Sequence, residues 1–212
     1  GIRWYRSLVD LWGITGIANI EISPEIAVKL GMALGSLIPR RSKVAVACDA
    51  SSSSNTVKYG IIAGLLSTGV DAVDLGIAPL PMLTLYARVK GFDLAVMVTT
   101  LAYDPSRVRI KVFSCAGFIA PDQVKALESI FFREAYRRVL GEELGTVQRA
   151  DDYVDVYVRE ISSYLEVKSI AKTSFLVDCI FGTASFLWSR LRDLYDLDVY
   201  QVNCGELGYA KA

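Results

Sequence analysis

Apolar positions early in the chain recur at helical spacing. Ile26, Ala27, Leu30, Ala33, Leu34 and Leu37 form one stripe, Ser23 stands where an N-cap belongs, Pro24 fits the first turn and Pro39 ends the run. The period then changes. Residues 43–48, Lys-Val-Ala-Val-Ala-Cys, are a short apolar stretch with polar neighbours and predict a buried strand. Asp49 and the serines 51 to 54 predict a loop. Residues 56–67 predict a helix with Val57, Ile61 and Leu65 on one face, Gly60 and Gly64 allowing close packing, and Gly69 as its stop. The cycle repeats as strand 70–75, turn 76–81, helix 82–90, strand 93–99, polar loop 100–107 and strand 109–113. Pro121 then opens a long amphipathic helix to about Leu140. Strands alternating with helices predict the α/β class: a three-layer α/β/α domain built on a mixed sheet.

Between Gly141 and Ala150 the composition turns polar and glycine occurs twice, which predicts a boundary after a first domain of residues 1–145. Beyond it, helix 152–165, strand 174–179, helix 183–194 and strand 198–202 predict a partial second α/β domain over 151–212. One β-α-β unit cannot bury both faces of its strands alone. The second domain is therefore cut short at Ala212, or it leans on the first domain or another chain. The strand edge this leaves predicts a homo-oligomer.

Composition narrows the chemistry. Half of the 212 residues, 52%, are hydrophobic, enough for a real core and incompatible with disorder or a disulfide-stapled miniprotein. Twenty-three basic residues balance 23 acidic ones, so no charge excess draws the chain to nucleic acid or an acidic membrane. There is no histidine, which removes His-based metal sites and the commonest general acid-base group. Cys48, Cys115, Cys179 and Cys204 show no C-x-x-C spacing and are expected to be buried and structural rather than disulfide-bonded or zinc-bound. No run of 18 uncharged apolar residues predicts a membrane span, and Gly1-Ile2-Arg3-Trp4 lacks a signal-peptide pattern, so the expected location is cytoplasmic. An opening without Met reads as a fragment of something longer.

Several loops occur in a specific order. They are Trp12-Gly13-Ile14-Thr15-Gly16-Ile17-Ala18, then Ser23-Pro24-Glu25 with Lys29-Leu30-Gly31, and Gly64-Leu65-Leu66 through Gly69-Val70. Asp74-Leu75-Gly76 to Pro79-Leu80-Pro81-Met82, Val96-Met97-Val98-Thr99, Ile110-Lys111-Val112-Phe113 and Asp178 through Ser185 complete the series. Together these resemble the α-D-phosphohexomutases, the phosphomannomutase/phosphoglucomutase family, over domain 1 and the opening of domain 2. The resemblance implies a serine in T-A-S-H-N-P that carries a phosphoryl group. It gives this to one end of a hexose phosphate, and the bisphosphate turns over and returns one, with Mg as cofactor in active relatives. Counting back from Lys111, the segment here is Thr99-Thr100-Leu101-Ala102-Tyr103-Asp104-Pro105. Leu101 therefore falls at the phosphoserine and Ala102 at the histidine. The family's D-x-R is Asp49-Ala50-Ser51, the arginine of its opening motif is Ala18, and Arg109 replaces a glycine. Its D-G-D-x-D-R metal loop would lie beyond the last residue. No cofactor and no metal ligand is expected from this chain itself.

Each candidate has a plain alternative. Ser51, Ser52, Ser53 and Ser54 precede a helix N-terminus, which suits a phosphate, and Ser54 or Asn55 would equally serve as a cap. Thr99 and Thr100 carry hydroxyls but no evident base. Lys111 sits where the family lysine approaches phosphate, or is exposed at a strand end. Gly13-x-x-Gly16 follows no convincing strand and is a weak dinucleotide signal. Asp178 and Glu206 read as turn or surface residues, and Phe131, Phe132, Tyr136 and Val139 as core on the long helix. The resulting expectation is a phosphohexomutase-like module without mutase activity, a structural or regulatory part of a larger sugar-nucleotide enzyme. A sugar phosphate and the missing domains or a partner chain would be its partners. The alternative is an active phosphomutase using a displaced hydroxyl and Mg.

Overall fold

A computed structural model describes residues 13–164, 174–179, 182–183, 185–195 and 197–204. The first half runs β1 (Ile14–Ile17), α1 (Pro24–Ser36), β2 (Lys43–Cys48), α2 (Ser52–Ser67), β3 (Asp71–Ile77), α3 (Leu80–Lys90), β4 (Leu94–Leu101) and β5 (Asp104–Ser114). Then follow β6 (Gly117–Phe118), α4 (Pro121–Arg133), a 3₁₀ turn (Gly141–Glu143), β7 (Val147–Arg149), α5 (Tyr153–Tyr164), β8 (Ser174–Asp178), α6 (Ser185–Tyr195) and β9 (Asp198–Val202). The main sheet is ordered β1-β5-β4-β2-β3-β7, with β6 beside β5. β4, β2, β3 and β7 are parallel; β5 is antiparallel to β1, β4 and β6. The sheet is mixed, as the alternation of elements predicts.

Both faces of β2 and β4 are covered, which is why Val44–Cys48 and Leu94–Val98 read as unbroken apolar runs. Val44, Val46 and Cys48 of β2 join the core under α1, α2 and α4, with Leu30, Leu34, Ile61, Leu65 and Leu127. Ala45 and Ala47 face the other way, toward Met82, Leu83 and Tyr86 of α3 and Tyr153 and Val156 of α5. α1 and α2 pack backbone to backbone. A Cβ on Gly64 would stand 2.2 Å from the Val28 carbonyl oxygen, so the close packing expected of Gly64 is what the helices require.

The structure corrects several boundaries. Gly13 directly precedes β1, a strand the sequence does not announce because its four residues pair with β5. The expected loop 100–107 is an almost continuous β4–β5 hairpin, with only Ala102 and Tyr103 outside the strands. Asp104 holds the turn by accepting from the Ser106 amide and hydroxyl (3.2 and 2.5 Å) and from Arg107 Nε (3.2 Å). The long helix stops at Arg133, where Glu134 takes a left-handed φ of 52° and pairs with Lys29. Phe131 is buried but Phe132 is half exposed. Beyond the helix, Arg137 folds back and donates to the Gly35, Ile38 and Thr68 carbonyls at 2.7, 2.8 and 2.9 Å. It thereby satisfies exposed ends of both α1 and α2.

β8 and β9 form a separate two-stranded parallel sheet, and α6 leans on α5 through Arg190–Asp155 (2.6 Å). The expectation for the cysteines needs correction. Cys48 is buried, but Cys115 is exposed and Cys179 is disulfide-bonded to Cys204, because parallel pairing in register delivers the two strand ends side by side. Among the described residues no helix is long and apolar enough to cross a membrane.

Candidate functional site

The carboxyl ends of β2, β3 and β4 gather the candidate chemistry, the usual place for a ligand on an open parallel sheet. Asp49, directly after β2, organises that edge. Its Oδ1 accepts from the Ser51 amide (3.0 Å), and its Oδ2 accepts from the Thr100 amide (2.8 Å) and hydroxyl (2.9 Å). One carboxylate thus ties the β2 loop to the end of β4. The Ser51 hydroxyl then caps α2 by accepting from the Ser53 amide at 3.2 Å. The cap is therefore Ser51, not Ser54 or Asn55, and α2 begins at Ser52, inside the stretch expected to be loop.

A cavity of about 250 Å³ lies beside this cap. Asp49, Ser51, Ser52, Asn55, Lys58 and Arg149 supply its polar lining. The four serines do not act together: Ser51 and Ser52 reach the cavity, while Ser54 is fully buried with its hydroxyl unpartnered among the described residues. Lys111 is elsewhere, on β5, with its side chain passing Gly13.

Sequence reasoning missed the group behind the cavity. Lys58, 1% exposed, donates to both oxygens of Asp74 at 2.8 and 2.9 Å. Asp74 also accepts from the Gly76 amide at 2.7 Å and lies 3.9 Å from Arg149. Gly76 has φ +70°, and a Cβ there would meet the Arg149 guanidinium at 2.4 Å. Glycine therefore serves both the turn and the arginine. A signal existed: Lys58 interrupts the apolar face of α2 and Asp74 interrupts an apolar strand. Neither has a reason to be there unless paired. Burial pushes the Cys48 thiol, beneath this site, up to about 11.

Leu101, the residue that the resemblance puts at the phosphoserine, is at the other side of Asp49, next to Thr100. Leu101 ends β4, buried at 4% exposure, and only Ala102 and Tyr103 (80% exposed) project at the hairpin tip. Thr99 and Thr100 are half-buried, and the Thr100 hydroxyl donates to Asp49 Oδ2 at 2.9 Å. Ala18 follows β1, with its amide on the Ser106 carbonyl at 2.9 Å. Asp178 is exposed and accepts from Asn203 at 3.0 Å; Glu206 lies outside the described residues. Among the described residues no group of three His, Cys, Asp or Glu side chains is arranged to hold a metal ion.

Residues 9–138 match the sequence model of phosphoglucomutase/phosphomannomutase, alpha/beta/alpha domain I. A phosphoglucomutase/phosphomannomutase of Thermococcus kodakarensis is 32% identical over 212 residues, covering 97% of this chain and 46% of that protein. A phosphoglucosamine/phosphogalactosamine mutase of Sulfurisphaera tokodaii is 32% identical over 168 residues, covering 78% of this chain and 37% of its own length. The crystal structure of a phosphoglucomutase/phosphomannomutase family protein from Burkholderia thailandensis superposes with a TM-score of 0.75 at 22% identity, over 94% of this chain and 44% of that one. The chain spans less than half the length of these relatives.

Proposed function

Because the chain belongs to the phosphoglucomutase/phosphomannomutase family, we propose that it is a module that has given up the phosphoryl relay and serves a structural or regulatory role in a larger sugar-nucleotide enzyme. Leu101 carries this reading. The resemblance puts the phosphoryl-bearing serine there, and the residue is instead a buried aliphatic side chain at the end of β4. A leucine offers no oxygen to phosphorus, and removing a nucleophile costs roughly a million-fold in rate in the best-studied triads. Ala18, Ser51 and Ala102 replace the neighbouring family residues, so the change spans every phosphate-handling loop of this half. A magnesium ion has no fitting set of ligands among the described residues, and no step is derived through one. Sugar phosphate is the ligand class the family suggests. The Ser51–Lys58–Arg149 cavity, with the N-terminus of α2 at its rim, is where this reading seats its phosphate.

The test is incubation with a hexose 1,6-bisphosphate and Mg, followed by intact-mass measurement and a phosphomutase assay on the full-length protein. No phosphoryl adduct and no turnover are expected. One observation favours a second reading, a relay through Thr100: its hydroxyl lies 2.9 Å from Asp49 Oδ2, within reach of a base. An adduct mapped to Thr100 and lost in Thr100→Val would establish that reading and overturn the first.

A further inference from the structure

Among the described residues one covalent bond, Cys179–Cys204, joins the two strand ends of the β8–α6–β9 unit. Among its described residues only Ser185 and Val199 are buried. The outer face of its sheet pairs Leu176 with Tyr200, 76% and 61% exposed. Cys179 follows β8 and donates its amide to the Val202 carbonyl at 3.0 Å. Asn203, at a left-handed φ of 54°, turns the chain after β9 and donates to Asp178 at 3.0 Å, which brings Cys204 back to Cys179. Their Cα atoms are 5.0 Å apart, the ordinary spacing for a disulfide.

The same cysteine anchors the turn into α6. The Gly182 amide donates to the Cys179 carbonyl at 2.8 Å, and the Ser185 hydroxyl donates to the Gly182 carbonyl at 2.5 Å. α6 in turn bears on α5, and α5 on α3 of the main sheet. Both bonded cysteines are only half-buried, so a thiolate can reach the sulfurs. The two free cysteines offer internal controls: Cys48 is buried, and Cys115 is exposed.

We infer that Cys179 and Cys204 form a reversible redox clip that fastens the β8–α6–β9 unit, and with it the α6–α5 contact, when oxidised and releases it when reduced. Oxidation balances with a low-molecular-weight disulfide such as glutathione disulfide. The two thiols each lose a proton, one sulfur–sulfur bond forms in the protein, and two glutathione molecules are released. The clip closes a sequence separation of 25 residues. In the chain-entropy description such a closure favours the folded unit by about four hundredfold.

The experiment poises the full chain in glutathione redox buffers and follows maleimide labelling by peptide mass spectrometry alongside amide hydrogen exchange. Under oxidising buffer only Cys115 is expected to label. Under excess reduced glutathione Cys179 and Cys204 should label too, and exchange across 174–204 should accelerate by up to about four hundredfold while β2 to β4 stay protected. Re-oxidation should restore both readings, and Cys179→Ser/Cys204→Ser should exchange like the reduced protein under either buffer. Resistance of the bond to reduced glutathione would make it a permanent staple and overturn the proposal. So would unchanged exchange in the reduced wild type, or thiols that never pair under glutathione disulfide. The wild-type measurements stand even if the double variant does not fold.

Discussion

Replacing Lys58 by methionine tests the architecture of the candidate site most directly. The substitution keeps the volume and removes the charge. The Lys58 and Asp74 side chains are 2% and 9% exposed, so the Asp74 carboxylate would stay inside the protein with the Gly76 amide and a distant Arg149 as its remaining donors. Stranding one member of a buried ion pair costs about 3–5 kcal/mol. Arg149, at 3.9 Å, recovers part of this, which places the expected loss near the lower figure, about 3 kcal/mol. Asp74→Leu should cost more. It strands a buried ammonium and also leaves the Gly76 amide without its acceptor, a further ~1–3 kcal/mol. The double variant Lys58→Met/Asp74→Leu removes both charges together and should be more stable than either single one, with the orphaned Gly76 amide keeping it below wild type. Urea unfolding of all four proteins, followed by far-UV circular dichroism and compared at equal m-values, measures the cycle. A loss under about 1 kcal/mol for Lys58→Met would mean the pair behaves like an exposed one. A double variant worse than both singles would show that the charges are not compensating each other. Either result refutes the reasoning.

Two further predictions concern the surrounding scaffold. Burial, reinforced by its hydrogen bond to Asp152, pushes the Tyr86 phenol from 10.0 up to about 12. A group whose folded value is raised lends stability that is complete below its unfolded pKa and lost as pH rises through the folded one. Unfolding free energy should therefore fall between pH 10 and 12, and Tyr86→Phe should flatten that fall in a pH series of urea melts. Arg137→Met removes donors at 2.7, 2.8 and 2.9 Å from three carbonyls at the ends of α1 and α2 and should cost about 2–4 kcal/mol. Arg137→Lys should recover only a fraction, since an ammonium cannot span the three as a guanidinium does, and full rescue by lysine would contradict this account.

Local patterning decided the scaffold before any packing was known. Ser23-Pro24 and the following stripe set the start of α1, the Lys43–Cys48 run is β2 at both ends, and Gly64 shows the tight helix contact. These signals are strong because the constraint is itself local: a cap, a period, a missing Cβ. The family was also legible in the order of loops, since family resemblance resides in residue order.

The rest depended on partners far along the chain. Residues 100–107 read as a polar loop, yet pairing among β1, β4 and β5 and the bond of Thr100 to Asp49 made all but Ala102 and Tyr103 strand. The long helix stops at Arg133, and Arg137, beyond it, is drawn to the ends of α1 and α2, 102 and 69 residues away in sequence. Lys58 meets Asp74, Thr100 meets Asp49 and Cys179 meets Cys204 only once the strands are in register. A one-dimensional pattern records which residues prefer burial or a turn. It does not record which buried charge or thiol will face which other, because strand register and order are settled by the packing of the whole sheet.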